Sequence, residues 1–273
     1  MDHPSDKDLN CPVCNGSRSV CFTAKVLEKY DVPYVYCESC GLLQATSPYW
    51  LEEAYQSAIA NADTGLLDRN YRGVRRIAPL LYSLGMQNGR FLDVAGGYGV
   101  LTRLMRDIGF DFYWSDPYCT NLVARGFERE RTSPPFEAVT ALEVFEHVVD
   151  PLEFSRTVLS ENQCSTLIFS TLLFERQPPP MDWWYYVFNT GQHISFYQAR
   201  TLHVIAEYLG LYLYPTADLH VMSKKKLSKF GFRLITGRCS SICLGYVRRK
   251  MQSRTFSDHE AILMGNDGTA SHR

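Results

Sequence analysis

The chain has 273 residues, 45% of them hydrophobic, and its 28 Lys and Arg against 29 Asp and Glu leave a formal net charge of −1. That balance excludes bulk electrostatic attraction to nucleic acid or an anionic membrane, and no apolar run reaches the ~18 residues of a membrane-spanning helix. The length allows one large α/β domain, or one domain with a small module. The polar start Met1–Asp8 lacks a signal-peptide pattern, so a cytoplasmic location is expected. Nine cysteines in that compartment are then free thiols or metal ligands and not disulfides.

Residues 1–48 read as a small metal module. Cys11-Pro-Val-Cys14 and Cys37-Glu-Ser-Cys40 are two C-x-x-C pairs, each followed by residues suited to a tight knuckle, Asn15-Gly16 and Gly41. Four thiolates on two turns make a tetrahedral S₄ site, and soft donors favour Zn²⁺. Such a site leaves no open position, so the expected zinc is structural; an iron–sulfur cluster or a metal-free redox pair is the alternative. The 22 intervening residues have room for a hairpin of Phe22–Val26 against Tyr34–Tyr36. Arg18, Lys25 and Lys29 are balanced by Glu28, Asp31 and Glu38, a poor surface for phosphates. No nucleic-acid partner is expected, and the module reads as structural, covering one side of a substrate site. Cys21, Cys119, Cys164, Cys239 and Cys243 are scattered and read as packing residues.

Residues 49–88 read as a helical connector in two pieces, broken around Asn61–Gly65, with Asp63-Thr-Gly65 as turn and N-cap. Val74, Ile77, Leu80 and Leu81 recur at helical spacing. Beyond a connecting role, Tyr55 and Asn70 are candidates to close over a bound cofactor.

Residues 89–222 carry the core. Strands are predicted at Arg90–Val94, Phe112–Ser115, Ala138–Ala141 and Thr166–Ser170. Helices are predicted at Val100–Ile108, Asn121–Ala124, Pro151–Leu159 and Tyr197–Leu209. Alternation of this kind implies an α/β fold, a Rossmann-like parallel sheet with helices on both faces. Ligands of such sheets sit beyond the carboxyl ends of the strands. The first strand runs into Asp93-Val-Ala95-Gly96-Gly97-Tyr-Gly99, and the second ends in Asp116. Glycines let the backbone approach a ligand closely, and a carboxylate there can accept bonds from both hydroxyls of a ribose. The turn lacks the G-x-G-x-x-G dinucleotide pattern and the Lys-Ser/Thr pair of a P-loop. Its Asp-x-x-x-Gly-x-Gly form resembles motif I of class I S-adenosylmethionine (AdoMet) methyltransferases. That resemblance implies AdoMet held by Asp93, Ala95, Gly96, Gly97, Gly99 and Asp116. The family's usual first glycine is Ala95 here, and a negative φ is expected at it. Glu128 and Glu130 are both candidates for the acid that meets adenine.

The third strand leads into Thr140-Ala-Leu-Glu143-Val-Phe-Glu146-His147-Val-Val-Asp-Pro151. The segment resembles the Glu-Val-x-Glu-His-x-x-Asp-Pro stretch ending strand four in the same enzymes, and the likeness extends from about Gly89 to Gly210. It places Glu143 beside the cofactor and makes Glu146 and His147 catalytic candidates. Structural roles compete: a helix-start carboxylate for Glu146, and a hydrogen-bonded structural imidazole for His147. Downstream, Pro178-Pro-Pro180 and Asp182-Trp-Trp-Tyr-Tyr186 form either an aromatic wall for a ring-shaped substrate or a loop completing the core. The next stretch, Gly191-Gln-His193-Ile-Ser-Phe-Tyr197, resembles one in sugar C-methyltransferases and related O-methyltransferases. It implies His193 as a base, for which an imidazole titrating near neutrality is suited.

Residues 223–273 form a basic segment: His220 to Ser257 contains no acid and ten Lys or Arg. The segment reads as a solvated face docked on the core, or as a weak contact with a phosphorylated carrier or membrane. The tail from Gly265 is expected to be disordered. The sum is an AdoMet-dependent methyltransferase of a small molecule, a sugar or glycan intermediate in surface-polysaccharide or deoxysugar synthesis. The sugar enzymes carry a further large C-terminal domain that is not visible here. One alternative is an O-methyltransferase of a quinone or other aromatic hydroxyl, with Trp183 and Trp184 against the ring. Another is an inactive zinc-ribbon scaffold in which Ala95 marks decay.

Overall fold

A computed structural model describes residues 10–56 and 63–266. The polar start through Asp8, part of the expected break at residues 61–65, and the tail from residue 267 lie outside the described residues. In chain order the strands are β1 (Ser19–Val26), β2 (Tyr30–Tyr36), β3 (Leu43–Ala45), β4 (Arg90–Val94), β5 (Asp111–Ser115), β6 (Ala138–Ala141), β7 (Thr166–Ser170), β8 (Ser195–Phe196), β9 (Tyr212–Pro215) and β10 (Leu219–Ser223). The helices are α1 (Leu51–Ala54), α2 (Leu66–Ser83), α3 (Val100–Ile108), α4 (Pro151–Glu161), α5 (Ala199–Tyr208), α6 (Lys229–Thr236), α7 (Ser240–Lys250) and α8 (Thr255–Asn266). None of the described helices is long and apolar enough to cross a membrane.

The chain folds as two compact units, each made of two segments. One comprises residues 1–63 and 141–226; the other comprises residues 64–140 and 227–273. In the first unit β1, β2, β3 and β8 form an antiparallel sheet. The expected hairpin is there, with Phe22 opposite Tyr34. Its turn closes with Lys29 N–H donating to Val26 O at 3.0 Å, and Leu27 and Glu28 both have positive φ. That backbone matches the right-handed twist of the strands. One face of the sheet buries Val32, Tyr34, Leu43, Trp50, Phe174, Tyr186 and Phe196 together. The aromatic run divides accordingly: Tyr185 and Tyr186 are buried and Trp183 packs against this core, whereas Trp184 is 73% exposed. Completion of the core therefore takes most of the expected aromatic wall, because rings of that size gain most by leaving water. The same unit pairs β7 with β10 and β10 with β9, all antiparallel.

In the second unit β4 lies between β5 and β6, parallel to both. β9 and β10, which the strand predictions do not include, make the sheet architecture mixed and not all-parallel, since the tight β9–β10 connection can only reverse the chain. Phe91 stacks on Phe112 with centroids 5.0 Å apart, and Val74, Ile77, Leu80 and Leu81 of α2 are all buried, as their spacing predicts. α2 begins at Leu66 with Gly65 as its N-cap residue, after a turn at Thr64 and Gly65, and Gly65 supplies no side-chain bond to the helix start. Asn121–Ala124 is a bend and no helix: the Asn121 side chain accepts from Ala124 N–H and donates to Glu128. A side chain that satisfies backbone locally competes with helix formation.

The basic segment is folded. Arg76 of α2 donates to Thr236 O at 3.0 Å, and Tyr82 meets Tyr246 edge-on at 6.0 Å. α8 continues through Gly265 and Asn266, two residues expected to be disordered. Its Asp258 receives a two-pronged pair of bonds from Arg106 of α3, at 2.7 and 2.8 Å, and both side chains are almost fully buried. Burial pushes the Asp258 carboxyl up, but Arg106 and Arg103 more than offset it and hold it below the usual range. Of the five scattered cysteines, Cys21 is exposed and the rest are partly exposed, so none belongs to the buried core as packing predicts.

Candidate functional site

The glycine turn follows β4 directly and is stitched to the end of β5. Gly96 N–H donates to Ser115 O at 3.2 Å, Gly97 N–H to Asp116 Oδ2 at 2.9 Å, and Trp114 Nε1–H to Gly97 O at 2.9 Å. Gly99 starts α3 with φ +85°, and a Cβ there would lie 2.6 Å from Asn121 Oδ1. Ala95 has φ +51°, correcting the negative value expected of it: the turn keeps the left-handed conformation although the residue is not glycine. The cost of that conformation for an L-residue is about 1–2 kcal/mol.

The two acids of this motif work on the protein itself. Asp93 is 2% exposed; Oδ1 accepts from Thr140 Oγ1 at 2.6 Å and Oδ2 from Thr102 Oγ1 at 3.4 Å. Burial pushes its carboxyl up to about 7, against the pull of both hydroxyls. Asp116 accepts three backbone N–H groups, from Gly97, Tyr118 and Cys119, at 2.8–2.9 Å. A carboxylate has about four lone-pair positions, so capacity for one further donor remains without rearrangement. Of the two adenine candidates, Glu128 is tied to Asn121 and to Gly126 N–H, bracing the bend after β5. Asn70 donates to Leu66 O within its own helix. Thr102, Trp114 and Thr140 escaped the sequence reading, because a hydroxyl or indole bonded to a turn leaves no periodic signal.

The other unit holds the second cluster. Glu143, with φ +54°, donates its N–H to Ser170 Oγ and accepts that hydroxyl on Oε1 at 2.6 Å. Glu146 is fully buried: Oε1 accepts from Tyr185 Oη at 2.8 Å, and Oε2 has no hydrogen-bond partner among the described residues. Burial pushes the Glu146 carboxyl up to about 8, helped by the Glu143 charge and opposed by the Tyr185 and Thr171 hydroxyls. His147 Nδ1 lies 3.0 Å from Gln192 O, and burial, with the nearby His193, lowers its pKa to about 3. His193 Nδ1 lies 2.7 Å from Tyr185 O. The two imidazoles meet edge-on with centroids 5.0 Å apart, and Tyr55 lies 6.1 Å from His147. Glu146, His147 and His193, drawn from two separate motifs, are therefore neighbours in space. Tyr185, which holds Glu146 by its hydroxyl and His193 by its carbonyl, escaped notice inside the aromatic run.

In the N-terminal module the four sulfurs of Cys11, Cys14, Cys37 and Cys40 lie within 4.8 Å of one another. Cys11–Cys40 and Cys14–Cys37 are each 3.5 Å apart. A tetrahedron with Zn–S bonds of about 2.3 Å has edges of about 3.8 Å, close to that spacing. The Cys40 thiol pulls the Cys11 pKa down to about 5 and is itself pushed up by the same pair.

A family model described as a methyltransferase domain matches residues 67–216. No curated protein sequence matches the chain. Among solved structures, magnesium protoporphyrin IX methyltransferase from Synechocystis PCC 6803 with bound SAH is 12% identical, with a TM-score of 0.43 over 63% of this chain and 90% of that one. An O-methyltransferase family protein from Burkholderia thailandensis is 13% identical, with a TM-score of 0.46 over 66% of this chain and 64% of that one. Likenesses this distant bear on no residue of the site.

Proposed function

Because this chain belongs to the methyltransferase-domain family, and is on that footing an AdoMet-dependent methyltransferase, we infer that it methylates a small molecule of the sugar or glycan-intermediate class. The observation that carries the cofactor reading is the turn from Ala95 to Gly99. Its backbone is held open by Asp116, and Ala95 keeps the glycine-like φ, so the departure at that position is no sign of decay.

When bound, AdoMet supplies a methyl group on a sulfonium, which leaves as a neutral thioether. The turn presents Gly96, Gly97 and Gly99 as close-approach backbone, and Asp116 accepts a ribose hydroxyl with its remaining lone-pair position. Asp93 acts at one remove, fixing the turn through Thr102 and Thr140. His193 takes the acceptor's proton, its Nδ1–H anchored on Tyr185 O so that Nε2 is the basic nitrogen. Glu143, Glu146 and His147 set the surroundings of that base. Positioning and exclusion of water supply most of the rate. Tyr55 and Asn70 remain proposals for the methionine end, Asn70 requiring release of its bond to Leu66 O.

Cys11, Cys14, Cys37 and Cys40 hold a structural Zn²⁺ in this reading, the sulfur spacing being the support. The sugar class rests on the stretch from His193 to Tyr197. An aromatic hydroxyl is the second reading, favoured by one observation, the exposure of Trp184. Calorimetry with AdoMet tests the first step: one site per chain is expected, and no heat from correctly folded protein overturns the assignment. A labelled-methyl screen of nucleotide sugars against aromatic hydroxyls then separates the two acceptors.

A further inference from the structure

α2 and α7 pack against each other although both are positively charged. α2 carries Arg69, Arg72, Arg75 and Arg76 against the single acid Asp68, and α7 carries Arg248, Arg249 and Lys250 with no acid at all. Asp68 is spent on Arg72 at 2.9 Å, and Arg76 donates to Thr236 O. Arg75 differs: its buried Nε–H has no hydrogen-bond partner among the described residues. A buried carboxyl escapes such a position by taking up a proton, but a guanidinium keeps its charge and all its donors. The arrangement is costly until an acceptor arrives.

Arg75 lines a cavity of about 200 Å³ with Tyr71, one turn earlier on α2, and with Ser241, Leu244, Gly245 and Arg248, which share one face of α7. All six belong to the second unit, and no acid among the described residues lines the cavity. Leu244 is buried, whereas Tyr71, Ser241, Gly245 and Arg248 are exposed, so the cavity is reached from solvent. A glycine in mid-helix is unfavourable relative to alanine, yet an added Cβ at Gly245 would meet nothing within 4 Å. Neighbouring atoms do not demand that glycine; it keeps the cavity open. The volume falls below the roughly 300–1,000 Å³ of pockets that enclose a whole drug-sized molecule, so one end of a ligand fits. We propose that this cavity binds the phosphoryl group of a phosphate monoester. Two guanidinium groups offer forked donors suited to phosphate oxygens, and Ser241 and Tyr71 add hydroxyls. Their two positive charges match the roughly −2 charge of the ester at neutral pH. None of the six belongs to the glycine turn or to the Glu146 cluster, so the site is additional to the methyl-transfer reading.

The test titrates the full chain with glucose 6-phosphate in a calorimeter at constant ionic strength. One ester per chain is expected, bound up to about 10-fold more weakly at pH 5 than at pH 7.5, because the dianion gives way to the monoanion below about pH 6. Inorganic sulfate, a dianion at both pH values, shows no such change. Arg75→Gln and Arg248→Gln each weaken ester binding by about 10–100-fold. Gly245→Leu abolishes it with both arginines in place and without lowering the thermal midpoint, since leucine is the better helix former. Phosphatidylcholine vesicles containing phosphatidic acid, whose headgroup is also a phosphate monoester, distinguish the sources. Vesicles that retain the wild type but not Gly245→Leu assign the site to a lipid headgroup; binding of the soluble ester alone assigns it to a small metabolite. A wild-type chain that takes up the ester in neither form overturns the proposal, as does binding undiminished in Arg248→Gln or in Gly245→Leu.

Discussion

The glycine turn and the Glu146 cluster both follow strands at their carboxyl ends, but they differ in how their polar groups are spent. In the turn every acid is occupied by the protein: Asp116 by three backbone N–H groups, Asp93 by two threonine hydroxyls. In the cluster a buried carboxylate oxygen has no hydrogen-bond partner among the described residues, and Nδ1 of each imidazole lies against a carbonyl oxygen. A satisfied network holds a backbone shape for a ligand to meet, whereas an unsatisfied one keeps capacity for a proton or an ion. In the proposed reading the turn is a mould and the cluster a set of reagents.

That contrast is open to experiment. His193→Ala is expected to lower turnover by about 10²–10⁴-fold with little change in AdoMet affinity; retained turnover would place the chemistry outside the cluster. Asp258→Ala attacks the support of the turn from a distance. It leaves Arg106 of α3 buried without its two-pronged partner, and a loss of about 3–5 kcal/mol is expected in urea unfolding. An undisturbed midpoint would show that α3 does not depend on α8.

Asp93→Asn has an effect that depends on pH. The folded carboxyl titrates near 7, above the ~3.9 of an unfolded chain, so the native state binds the extra proton between those values. Its stability is fully present below about pH 4 and declines as pH rises through 7, by up to about 4 kcal/mol. Asparagine cannot ionise, so the variant should gain on the wild type across that window when both are unfolded at pH 5 and pH 8. A constant difference at the two pH values would mean that Asp93 is ionised throughout. The smallest effect is expected of Ala95→Gly: relief of the positive φ set against greater freedom of the unfolded chain, a net gain of at most about 1 kcal/mol. A clear loss would show that the Ala95 methyl group is itself packed to advantage.

Much of the α/β core was legible in the chain. β4, β6, β7 and α3 have the bounds that the apolar runs predict, with glycines flanking β4 and α3, because each is short and local. The cysteine pairs and the residues of both motifs could likewise be found by spacing. Less visible were the antiparallel pairings of β7, β9 and β10, the bend at Asn121, and the absorption of Trp183, Tyr185 and Tyr186 into a core. Each depends on a partner distant in sequence or on competition between a side chain and the backbone.

Residue order alone determined which chemistries are present: the four thiols, the glycines after Asp93, and the Glu-His and His motifs, since donor types and local spacing are properties of the covalent chain. Only tertiary structure decided what those groups are free to do. It closed both oxygens of Asp93 on threonines, gave Ala95 a glycine-like backbone, and buried Glu146 with one oxygen unmatched. Burial and hydrogen-bond satisfaction are set by neighbours that folding brings together, and periodicity along the chain carries no record of them.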